Sequence, residues 1–230
     1  MKFIRNVFAL LLIPTVAAIG YTFFKSFLIF VVNSGNKFAT FWVGILVYIV
    51  FQVVLYKPMR AYVFGHELSH AIVGILSGAK IKKFNAGKDS GNVVLSKDNI
   101  CITLAPYFSP IYTIIILLTY FLCRYFLDVK PFYNYFLFFV GMSIAFHIAL
   151  TIYVLTIEQS DLKVYGTFFS YIIILFINFI VFTVIFSLVF LNEINIKSIF
   201  IEYAENIVSI YKFIYYGVLV DIWVSFQKTK

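Results

Sequence analysis

Charge is what this sequence has least of. Asp, Glu, Lys and Arg together make 12% of its 230 residues, against 63% hydrophobic, and the mean hydropathy is +0.98. So few charged groups exclude a water-soluble domain of this length, whose outside would have to be covered by polar side chains. Acids are scarcer still, ten against eighteen Lys and Arg, for a net charge of +8. The bases come as short clusters between apolar runs, with no basic stripe or basic helix, which excludes a nucleic-acid footprint and suits loop anchors at a membrane surface. Cysteine is nearly absent. Cys101 and Cys123 sit near the two ends of one apolar run, roughly 33 Å apart on a helix rising about 1.5 Å per residue, too far for a disulfide. Internal repeats and low-complexity linkers are missing as well.

What is present is a series of apolar runs, at about 4–32, 38–56, 59–78, 99–127, 132–157 and 165–191. A helix needs roughly 20 such residues to cross the hydrocarbon of a bilayer. Open sheet edges cannot be satisfied in lipid and the runs lack strand alternation, so the expectation is an all-α polytopic membrane protein of about six transmembrane helices. The first run begins with Lys2 and Arg5 as a signal peptide would, but without a convincing small-residue cleavage site it reads as a retained span. The polar stretch 79–98 carries five lysines and the turn signal Gly-Lys-Asp-Ser-Gly between short β-compatible pieces. It predicts a surface β-hairpin, and its lysines place it on the cytoplasmic side. One membrane domain over 1–191, with its core at 38–191, is the economical division. The tail 192–230 mixes apolar residues with Glu193, Lys197, Glu202, Glu205, Lys212 and Asp221, as an interfacial amphipathic segment or one more span would.

Within the third run lies Gly65-His66-Glu67-Leu68-Ser69-His70. Residues four apart on an α-helix share a face about 6 Å apart along the axis, so His66 and His70 can each place a nitrogen on one metal ion. Glu67 then projects beside a metal-bound water, whose pKa a zinc ion lowers toward about 7, and the carboxylate can take its proton and pass it to a leaving amine. Polar helix faces match this pattern by chance, but each ionisable group inside a span costs about 2.5 to 3.5 kcal/mol by insertion scales and is rarely there without a role.

A catalytic zinc takes three protein ligands and a water. Two residues compete for the third place. His147, the only other histidine, lies in the fifth run at a depth similar to His70; a packing histidine bonded to a carbonyl is its alternative reading. Asp161 lies where the chain turns and reaches the metal only if 158–165 re-enters the protein interior. Glu158 reads as a plain interfacial charge.

The stretch GHELSHAIVGILSGAKIKKF, the hairpin with its Ser-Gly-Asn turn, LAPYFSP and QSDLKVYG together resemble the site-2 protease family of intramembrane zinc metallopeptidases, over about residues 60–180. The resemblance implies a multi-pass protein of a bacterial cell membrane in which His66, His70 and an aspartate, here Asp161, hold Zn2+ and Glu67 is the general base. The family's Leu-Asp-Gly motif is replaced by Ser160-Asp161-Leu162 with Gly166 further on, so the branch is a divergent one and His147 stays an alternative third ligand. The implied activity is a zinc metalloendopeptidase acting on peptide bonds in or next to transmembrane segments of membrane proteins.

Two further features belong to that reading. Pro106 and Pro110 would kink or break the fourth run and free backbone groups. The hairpin offers a strand edge on which an unwound substrate segment could add. The alternatives are a membrane peptidase of the CAAX-prenyl-endopeptidase type, whose additional glutamate ligand has no counterpart here, and a non-catalytic scaffold or binding protein with a structural metal or histidine cluster. Partners are the bilayer and a membrane-protein segment; oligomeric state is not legible.

Overall fold

A computed structural model describes residues 2–55, 57–88, 90–157, 159–191, 193–220 and 227. Glu158 and Asp221, both named above, lie outside the described residues, as does part of the tail 192–230. The chain is an all-α membrane protein with a short β-hairpin. Its helices are α1 (Lys2–Ser34), α2 (Ala39–Val54), α3 (Met59–Leu76), α4 (Ile100–Phe108), α5 (Ile111–Cys123), α6 (Tyr133–Leu155), α7 (Ser160–Tyr165), α8 (Thr167–Val189) and α9 (Ile196–Ile214), and its strands are β1 (Ile81–Ala86) and β2 (Gly91–Leu95).

Helix surfaces are apolar where a soluble protein would be polar: Val32, Val53 and Leu76 are each more than three-quarters exposed. Such a surface requires a non-aqueous surrounding. The helices α1, the stretch Lys130–Leu155 that contains α6, and α8 are long and apolar enough to cross a membrane; α4 and α5 together make a fourth if taken as one broken span. The remaining two apolar runs are α2, only 16 residues, and α3, which carries the histidines.

The chain divides into two compact units, one of Met1–Asn33 with Tyr171–Lys230 and one of Ser34–Ser170. Within the first unit α9 packs on α1 and α8: its Ile199 and Tyr203 cluster with Ile19 against Phe23, Phe176 and Phe179. Its polar side chains find matched groups, Glu202 on Lys25 at 2.7 Å and Asn206 on Thr22 at 2.7 Å.

In the unit of 34–170, α2 and α6 pack through two glycines. A Cβ at Gly44 would collide with the Phe138 carbonyl, and one at Gly141 with the Phe41 carbonyl. Small residues let helix backbones approach this closely in lipid, where packing must do what hydrophobic exclusion does in water. α3 ends in a Schellman turn: Gly78, at φ +74, donates to Ile75, and Ala79 donates to the Gly74 carbonyl. That turn sends the chain into the hairpin, whose strands pair Phe84 with Val93 and Ala86 with Gly91, with an irregularity between Ile81 and Lys83. Gly87 donates to the Ser90 carbonyl across the turn at 2.9 Å.

The expected break near the prolines is present. α4 and α5 meet at 79° across Ser109 and Pro110, while Pro106 is accommodated inside α4. Asn99 caps α4, its side chain accepting from the Ile102 amide.

Candidate metal centre

The centre is built on α3, α4 and α7. Helical spacing puts Tyr62, His66 and His70 in one row along α3, four residues apart. α4 lies against this row and contributes Tyr107 and the carbonyl of Ile102. The chain then returns in α7, packed on α4, with Leu162 buried and Ser170 donating to the Leu162 carbonyl at 3.1 Å. This docking carries Asp161, in the first turn of α7, to the histidines.

His66 Nε2 stands 3.3 Å and His70 Nε2 3.5 Å from Asp161 Oδ2. Among the described residues His66, His70 and Asp161 form a group that could hold a metal ion, each offering one ligand atom and all three atoms lying within 4.8 Å of one another. Ligands at about 2.0–2.1 Å around a tetrahedral ion are separated by about 3.3 Å, so the two histidine–aspartate separations seen are close to edges of one coordination sphere. The donor set, two imidazole nitrogens and a carboxylate oxygen, suits a divalent transition metal.

The surrounding hydrogen bonds orient these ligands. His70 Nδ1 lies 2.8 Å from the Ile102 carbonyl. A carbonyl only accepts, so Nδ1 carries a proton there and Nε2 is the nitrogen that faces the group. His66 Nδ1 is held by the Tyr62 hydroxyl at 3.2 Å. Tyr107, fully buried, donates its hydroxyl to Asp161 Oδ2 at 3.1 Å and sets its ring edge-on to His66. Burial pushes the Asp161 carboxyl up, but the hydrogen bonds from His66 and His70 outweigh that and hold it well below the ordinary carboxylate range.

A cavity of about 650 Å³ opens on the group, lined by His66, Glu67, His70 and Asp161, by β2 from Gly91 to Leu95, and by Lys97 and Asp98. Glu67, one residue after His66, is 6% exposed and sits on this cavity beneath Gly91. A buried carboxylate beside three convergent donor atoms and an open volume is an arrangement able to move a proton to or from a ligand held there.

His147 does not join the group. It is half-buried on α6 and lines a small cavity of about 20 Å³ behind His66, with Tyr62, Ser69 and Ser143, on which Asp161 does not open. Equal depth along two helices did not bring it to the same face. Sequence reasoning missed Tyr62 and Tyr107. Tyr62 was findable, standing one turn before His66 on the same face; Tyr107 was not, because its role depends on how α4 meets α7. No family model, no curated protein and no solved structure matches this chain.

Proposed function

We propose that this chain is a multi-pass, intramembrane zinc endopeptidase of the site-2 protease type, hydrolysing a peptide bond in or beside a membrane-spanning segment of another protein in a bacterial cell membrane. The observation that carries the reading is the convergence of His66 Nε2, His70 Nε2 and Asp161 Oδ2 beside the buried Glu67, on a cavity, in a protein whose helices present apolar surfaces.

His66, His70 and Asp161 would hold the ion and leave a fourth position facing the cavity, the arrangement of a catalytic zinc. Bound there, zinc supplies Lewis acidity, polarising a peptide carbonyl and lowering the pKa of water. Glu67 accepts the proton of the attacking water and returns it to the departing amine nitrogen. One C–O bond forms, one C–N bond breaks, and the carboxylate is regenerated. Tyr107 and Tyr62 keep Asp161 and His66 in place meanwhile.

The substrate segment must be extended where it is cut. β2 pairs with β1 along one edge and lies along the cavity, so its other edge offers backbone donors and acceptors to an unwound chain. The cavity walls Val93, Val94 and Leu95 would take apolar side chains.

The test is metal content and hydrolysis on the same preparations of detergent-purified protein. Wild type should hold about one zinc per chain, lost in His66→Ala and Asp161→Ala and kept in Glu67→Gln. Only wild type should cleave a reconstituted membrane-spanning reporter peptide. Zinc bound without cleavage would favour a metal-containing scaffold; no zinc in folded, zinc-supplemented wild type would remove the peptidase reading altogether.

A further inference from the structure

The hairpin rests on α3 through two places where a side chain is missing. At one end Leu95 fills the space left by Gly74: a Cβ there would stand 2.7 Å from Leu95 Cδ1. At the other end the relation is reversed, and the strand lacks the side chain. A Cβ on Gly91 would overlap Glu67 Cγ and stand 2.6 Å from its Oε1 and 2.8 Å from its Cδ. Between these ends Val93 turns to the same side as Gly91 and Leu95, as strand alternation requires. The four strand steps from Gly91 to Leu95 span about 13 Å and the seven helix steps from Glu67 to Gly74 about 10 Å, similar enough for one strand to make both contacts with one helix.

From this we infer that Gly91 is a positioning residue for Glu67: the bare backbone of β2 is the surface against which the carboxylate is set, so that hairpin and base move together. This deepens the peptidase reading and rests on it for the role of Glu67. Three observations support it. Glu67 is nearly fully buried although it borders a 650 Å³ cavity, and β2 is the element covering it. Gly91 opens the strand directly after the tight turn closed by Gly87 and Ser90, so its position is set by hairpin geometry. The strand that presses on the base is also the one whose edge runs along the cavity. An extended segment adding to β2 would therefore hold the hairpin down on α3 and the base in register, linking occupancy of the site to the alignment of its proton acceptor.

The experiment is a double-mutant cycle between Gly91→Ala and Glu67→Ala, read first as Tm in detergent, which needs no substrate. Gly91→Ala should lower Tm by roughly 5 °C when Glu67 is present, and by much less when Glu67→Ala has removed the atoms the new methyl meets. If Gly91→Ala fails to fold alone, recovery of folding in the Glu67→Ala background is the same positive result. An equal loss in both backgrounds, or failure in both, overturns the inference. The second reading is kinetic, on the reporter peptide cleaved by wild type. A base displaced by about 1 Å should cost on the order of a hundredfold in kcat, with KM and zinc content nearly unchanged. A rise in KM with kcat preserved would assign Gly91 to substrate binding and overturn its positioning role. Should wild type not hydrolyse the reporter at all, the peptidase reading fails, and the Tm cycle still decides the coupling of strand and carboxylate.

Discussion

In the unit of Met1–Asn33 and Tyr171–Lys230, polar groups meet at separate points across the helices. Lys25 meets Glu202 at 2.7 Å, Asn206 donates to Thr22 at 2.7 Å, and Tyr211 donates to the Leu11 carbonyl at 2.6 Å. In the unit of Ser34–Ser170 the polar groups converge instead, with two histidines and a tyrosine on the single carboxylate of Asp161 and a cavity beside them. Both regions offset the cost of polar groups among apolar helices. The first spreads its polar contacts over separate points along its helix seams; the second gathers donor atoms beside an open volume. Convergence with an open volume, more than the presence of polar residues, is what separates a site from a seam.

Substitutions can break that contrast or sharpen it. The largest effect should come from His66→Ala or Asp161→Ala, which should abolish zinc retention and hydrolysis together in metal analysis and reporter cleavage. Retention of the ion in both would show that the convergence does not bind it. Glu67→Gln should keep the ion and lower the cleavage rate by about 10²–10⁴-fold, the usual worth of a positioned general base. Gly141→Leu should lower Tm by on the order of 5–10 °C by forcing α6 off α2, without changing which residues bind metal. Tyr107→Phe should weaken zinc about tenfold in a chelator competition, whereas His147→Ala should leave the affinity as it is. The smallest change is expected in the closed seam, where Lys25→Gln at a half-exposed pair should move Tm within about 2 °C and leave zinc untouched. A Lys25→Gln protein that loses its metal would erase the distinction between the two regions.

Much of the architecture was legible along the chain because it is local. Apolar run length marked the helices, Gly78 and the lysine-rich 79–98 marked the hairpin, and Pro110 marked the break between α4 and α5. The pair His66 and His70 was legible for the same reason, four residues being one helical turn. The third donor was not. Asp161 and His147 were equally plausible in sequence, and only the packing of α7 on α4 brings the aspartate in, while α6 leaves His147 on a small cavity behind His66. The grouping of α9 with α1 was likewise hidden, since the match of Glu202 to Lys25 spans 177 positions.

The sequence alone therefore determined the environment and half of the centre: too little charge for water, enough apolar length for a membrane, and two nitrogens on one helix face beside a carboxylate. These follow from composition and from the 3.6-residue period, which act over a single segment. Tertiary structure decided the third member of the group, the tyrosines that bond to it and to His66, the pairing of α9 with α1, and the contact of Gly91 with Glu67. Each of these joins residues distant in the chain, and such contacts depend on how helices and hairpin pack, a property that no single segment carries.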